Sequence, residues 1–143
     1  MIATQGNPYA MTTLLPSRLP GTAPVPARVS ASRIGEASVV RCAGDLDVAA
    51  VDSFGDAVDE ALRDRPTGLV LDLSEVPFCD TVGLRILLST AAKGRRQGCS
   101  VALAGVRRPV AELLARVCAE RTLPSYPDVG AAIEGLMFSG DWR

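Results

Sequence analysis

The sequence predicts an α/β fold, with about four to five strands in a parallel or mixed sheet and about four helices, and three observations carry that prediction. Short apolar runs alternate with segments of helical period along most of the chain. Residues 68–73, Gly-Leu-Val-Leu-Asp-Leu, form a short apolar run bounded by breakers, as a strand buried on both faces of a parallel sheet requires. The first two extended runs, 28–34 and 37–43, are separated only by Gly35-Glu36, which reads as a β-hairpin.

Residues 1–27 are rich in Pro, Thr, Ser and Gly without a period of 2 or 3.6, and are expected to be a disordered leader. After the hairpin, Gly44-Asp45-Leu46-Asp47 breaks the second strand. Val51, Phe54, Val58, Ala61 and Leu62 then mark one face of a helix that should end near Asp64, with Asp47 or Asp52 as its cap. The buried strand at 68–73 leads through a short loop into a helix over about 81–96, whose Leu84, Leu87, Leu88 and Ala91 lie on one stripe and which Gln97-Gly98 should end. A strand over 100–104 precedes a helix opened by Arg108-Pro109, with Val110, Leu113, Leu114, Val117 and Cys118 as its inner face. Residues 122–127 allow a short edge strand limited by its prolines, and Asp128 can cap a last helix carrying Val129, Ala132, Ile133 and Leu136. The folded domain is therefore placed at 28–137, followed by a tail, 138–143, without a clear signal.

Composition narrows the function classes. The chain of 143 residues is 48% apolar and 22% charged, enough for one domain with its own core. Fifteen Lys and Arg against sixteen Asp and Glu leave no basic footprint for nucleic acid. The absence of histidine removes the commonest general base and metal ligand, and no cofactor is expected. Cys42, Cys79, Cys99 and Cys118 are scattered singly and read as small buried apolar residues in a reduced, cytoplasmic setting. No apolar run approaches the roughly 18 residues of a membrane helix, and nothing resembles an export signal.

The best candidate site is the turn where the strand at 68–73 gives way to the helix at 81–96. Asp80 and Thr81 place a carboxylate and a hydroxyl at a helix start, outside the i to i−4 ladder, with Gly83 in the first turn. Either Asp80 or Thr81 can serve as a plain cap there, and Asp45 and Asp47 can cap the preceding helix or face a partner. Free N–H groups and the helix dipole favour a phosphate at such a place by about 0.3–1 kcal/mol when exposed.

This turn and its surroundings resemble the STAS domain, and in particular the single-domain bacterial anti-sigma factor antagonists. Gly44-Asp45-Leu46-Asp47 is similar to the family's Gly-Glu-Leu-Asp, and the stretch from Leu71 to Leu84, with Asp80-Thr81-Val82-Gly83-Leu84, is similar to its strand followed by Asp-Ser-x-Gly-Leu. The segments 98–103 and 109–117 match its next strand and helix, so the resemblance spans about 28–137. It implies a small STAS-like mixed sheet and a non-enzymatic partner switch. Thr81 would be the phosphoacceptor, and Asp45, Asp47, Asp80, Val82 and Gly83 the partner-binding residues. Unphosphorylated, such a domain binds an anti-sigma factor that is also a serine/threonine kinase and releases the sigma factor; phosphorylation reverses this, and a phosphatase resets it. Neither nucleic acid nor membrane is a direct partner, and the implied form is a monomer or weak dimer. Thr81 stands where serine is commoner, and Val82 leaves it the only hydroxyl of the motif. The same resemblance also admits an unphosphorylated scaffold or accessory subunit of a stress-sensing or phospholipid-transport complex. An enzyme ranks third, for want of a Walker loop or a recognisable carboxylate pair.

Overall fold

In the computed structural model, residues 25–117, 119 and 122–138 are described. The expected leader up to residue 24, the end of the tail and Cys118 lie outside them. Five strands, β1 (Arg28–Ile34), β2 (Ala37–Ala43), β3 (Gly68–Glu75), β4 (Ser100–Ala104) and β5 (Ser125–Tyr126), form one sheet in the order β1-β2-β3-β4-β5. β1 and β2 are the antiparallel hairpin, in register from Arg28↔Ala43 to Ile34↔Ala37. Every later pairing is parallel.

The crossovers are supplied by α1 (Val51–Leu62), α2 (Thr81–Arg96) and α3 (Arg108–Arg116), and α4 (Val129–Phe138) follows β5. Alternation along the strands sends Val40, Cys42, Leu69, Leu71, Leu73, Val101 and Leu103 to one face, where they meet Phe54, Leu87 and Leu113 from α1, α2 and α3. Val39, Val70, Ala102 and Ala104 point the other way, to Ala132 and Leu136 of α4. Leu71 and Leu103 are fully buried, and each such side chain is worth roughly 1.5–3 kcal/mol of apolar transfer. The sheet is thus covered on both faces at β3 and β4, which is why β3 reads as a continuous apolar run.

Local chemistry sets the element ends. Asp128 Oδ1 accepts the Ala131 N–H at 2.8 Å at the start of α4, and Pro109 occupies the first turn of α3. Gln97 closes α2, with Gly98 just beyond at φ +77°. Lys93, Arg95 and Arg96 fill its last turn, where cations complement the dipole; Lys93 pairs with Asp59 of α1 and Arg95 donates to the Thr122 carbonyl.

Four expectations need correction. Residues 25–27 of the expected leader are held on the domain through Asp45. α1 ends at Leu62, and Asp47 caps a separate 3-10 turn, Val48–Ala50, that precedes it; neither Asp47 nor Asp52 caps α1 itself. Val51 is 42% exposed, because the buried stripe of α1 begins at Phe54 while Ala50 covers the core before it. Val117 is likewise exposed, since it lies past the last full turn of α3.

Candidate functional site

β3 delivers the chain to the turn in an order that the sequence prescribes. Its buried portion ends at Leu73, Ser74 and Glu75 emerge into solvent, and Val76 and Cys79 turn back into the core. The Cys79 segment then pairs with the loop after β2. Leu46 and Cys79 form an isolated parallel bridge, the Leu46 N–H donating to the Phe78 carbonyl at 2.9 Å and the Asp80 N–H to the Leu46 carbonyl at 3.4 Å. The two loops at the C-terminal ends of β2 and β3 are therefore one structural unit. Loops at this end of parallel strands are where open α/β sheets place their functional groups.

Asp80 caps α2. Its backbone is extended (φ −108°, ψ −168°), its Oδ1 accepts the Gly83 N–H at 2.9 Å, and its carbonyl accepts the Leu84 N–H at 2.9 Å. Thr81 is consequently the first helical residue and not the cap. It is half-buried, and no hydrogen bond holds its hydroxyl among the described residues. Val82 is half-buried beside it, and Gly83 is buried against the Leu46 carbonyl. A Cβ on residue 83 would stand 2.1 Å from that oxygen and 2.8 Å from Cys79 Sγ, so only glycine lets the first turn of α2 approach the β2 loop.

The acidic residues of the motif divide into two kinds. Asp47 is half-buried and its Oδ1 accepts the Ala49 N–H at 3.0 Å. Asp47 and Asp80 both lie in electrostatic reach of Cys79, whose thiol is pushed up to about 12 by burial first and then by Asp80, Cys42 and Asp47. Burial, with help from Asp47, raises Cys42 to about 11. The structure therefore gathers Asp47, Asp80, Thr81, Val82 and Gly83 around one turn. Asp45 is the exception: it is 3% exposed, and its Oδ2 accepts the Val25 N–H at 2.9 Å. A carboxylate turned inward onto the chain's own backbone offers no face to a partner, which corrects the expectation that Asp45 binds one directly.

Two apolar side chains stand at the surface near this turn, Val48, which the sequence did not single out, and Val51, which was expected on the buried face of α1. Val48 is 70% exposed on the 3-10 turn that touches α2, and Val51 follows in the first turn of α1, so two apolar side chains face solvent beside the acidic caps. The signal available was Val48 directly after Asp47, ahead of the buried stripe. Among the described residues there is no group of three or more potential metal ligands, and no helix is long and apolar enough to cross a membrane.

Sheet and site together define a small α/β domain whose candidate site is a strand-to-helix turn bearing a hydroxyl beside a capping carboxylate. The chain belongs to the STAS domain family, whose model matches residues 28–132. It is similar to the anti-sigma-F factor antagonist RsfB of Mycobacterium tuberculosis, at 39% identity over 56 residues, 39% of this chain. That match spans 46% of the relative, so the chain covers about half the length of the curated relatives it matches. Among solved structures it resembles an anti-sigma factor antagonist from Mycobacterium paratuberculosis, with a TM-score of 0.71 and 26% identity over 81% of this chain and 98% of that one. The anti-sigma factor antagonist SpoIIAA, solved in its unphosphorylated form, shares the fold, with a TM-score of 0.61 at 15% identity over 78% of this chain and 99% of that one.

Proposed function

We propose that this protein is an anti-sigma factor antagonist that acts in the cytoplasm by partner switching and is controlled by phosphorylation of Thr81. In the neutral state the turn around Thr81 binds an anti-sigma factor and so frees a sigma factor. That anti-sigma factor is also the kinase, and a phosphatase of the same pathway restores the neutral state. The protein is the substrate of this cycle and not a catalyst. The observation that carries the reading is the Thr81 hydroxyl at the first position of α2, unengaged among the described residues and next to the Asp80 cap. The names of the relatives supply the class of partner.

The chemistry of the switch follows from that placement. A phosphate on Thr81 meets the positive end of the α2 dipole, so the fold tolerates it. It also brings a charge of about −1.5 to −2 beside the Asp80 carboxylate, with Asp47 and the exposed Val48 close by. An interface that accepts a neutral hydroxyl and apolar valines must then desolvate a dianion among carboxylates, and it releases. Switching spoils a surface and leaves the domain folded.

The test incubates the protein with candidate kinase anti-sigma factors and ATP, maps phosphate by mass spectrometry, and compares wild type, Thr81→Ala and Thr81→Asp in pull-downs. One phosphate on Thr81, binding retained by Thr81→Ala and weakened by Thr81→Asp is the expected result. Absence of phosphate together with equal binding by all three proteins overturns the reading.

A further inference from the structure

The three residues before β1 form a strap across the end of β2. Asp45 Oδ2 accepts the Val25 N–H at 2.9 Å, and the Asp45 N–H donates back to the Val25 carbonyl at 2.8 Å. Gly44, at φ +118°, lets the strap pass: a Cβ there would stand 2.5 Å from the Pro26 carbonyl oxygen and 2.8 Å from Ala27 Cα. Gly44 in turn donates its N–H to the Glu75 carbonyl at 2.9 Å. The residue after Asp45 is Leu46, whose carbonyl receives the Asp80 N–H and supports Gly83. An unbroken line of backbone contacts therefore runs from Val25 through Asp45 and Leu46 to the first turn of α2.

We infer that Asp45 is a positioning residue for the phosphoacceptor: by clasping the Val25–Ala27 strap it fixes the Leu46 carbonyl against which the Thr81 helix start is seated. The chain ahead of β1 thereby gains a handle on the switch, since whatever pulls on or displaces the strap loosens the support under Asp80 and Gly83. The geometric part stands on the hydrogen bonds and close approaches alone. Its regulatory consequence rests on the reading of Thr81 as phosphoacceptor.

Val25→Pro in the full-length chain removes the donated N–H and leaves Asp45, Leu46 and Thr81 in place, while Val25→Ala keeps the N–H and serves as the conservative control. Amide hydrogen exchange is read at Leu46, Asp80, Gly83 and Leu84 and, for comparison, at Val101 and Ala102 in β4. In Val25→Pro the first group should exchange about two- to tenfold faster, the range expected for one lost hydrogen bond. The β4 amides should not change, and Val25→Ala should behave as wild type. Phosphate transfer to Thr81 by the cognate kinase should slow by a similar factor. Unchanged exchange at Gly83 and Leu46, or equal acceleration at all sites, overturns the inference, the latter because it marks a general structural role. If exchange responds as expected but no kinase phosphorylates even the wild type, the clasp stands and the phosphoacceptor reading falls.

Discussion

The carbonyl oxygen of Leu46 lies against Gly83 so closely that a side chain at 83 would overlap it at 2.1 Å. The contact joins two loops that are 37 positions apart in the chain and makes the first turn of α2 an extension of the β2 loop.

Gly83→Ala should therefore be costly at a helical position where alanine is intrinsically preferred. The clash is with backbone, which cannot rotate away, so the start of α2 must shift. A loss of about 1–3 kcal/mol in urea denaturation is expected, the usual range for overpacking, against a gain of up to about 1 kcal/mol if propensity alone governed. The sign of the change decides between them.

Asp80→Ala removes the acceptor of the Gly83 N–H. A loss of about 0.5–2 kcal/mol follows from N-cap substitutions in general, and Asp80→Asn should recover most of it because the acceptor geometry survives. Thermal melts of the three proteins check this.

Thr81→Val separates stability from switching. Among the described residues the hydroxyl makes no hydrogen bond, and valine keeps the β-branched shape, so stability should change by no more than about 0.5 kcal/mol. Phosphate incorporation by a cognate kinase should fall to background. A large stability loss in this variant shows that the hydroxyl is structural.

The buried thiols give the pH dependence. Cys79 is raised from 9.0 to about 12, and Cys42 and Cys99 from 9.0 to about 11. Well below pH 9 these thiols are protonated in both folded and unfolded chains and contribute almost no pH dependence. Between 9 and about 11–12 the unfolded chain loses its thiol protons first, so it binds fewer protons than the folded one and stability falls as pH rises. Urea midpoints should be nearly flat in this term from pH 7 to 8 and lower at pH 10. Replacing Cys79 by alanine should flatten part of that decline, and at pH 8 the native protein should resist alkylation at all three positions.

Much of the fold was legible because its signals are local. Asp80 and Gln97-Gly98 bracket α2 as Thr81–Arg96, and the apolar run of β3 announces a strand covered on both sides. The turn at the start of α2 was legible for the same reason: a carboxylate, a hydroxyl and a glycine fall together after a strand. What the sequence hid depends on distant contacts. Asp45 looks like a loop-end carboxylate, and only the return of Val25 over Gly44 turns it inward. Val51 shares the period of the α1 stripe, yet Ala50 and Phe54 take the core positions around it. The short 3-10 turn that claims Asp47 has no period of its own to detect.

The close of α4 over the start of β3 has a practical consequence for labelling. Leu136 packs on Gly68, and the Thr67 hydroxyl meets Met137 Sδ at 3.7 Å, so Phe138 sits at the end of the sheet away from Thr81. The eight residues of β3 hold the two ends roughly 23 Å apart. A fluorophore attached at position 138, where Phe138 is 80% exposed, would ride on the rear of the molecule and report tumbling and complex formation without crowding the turn at Thr81.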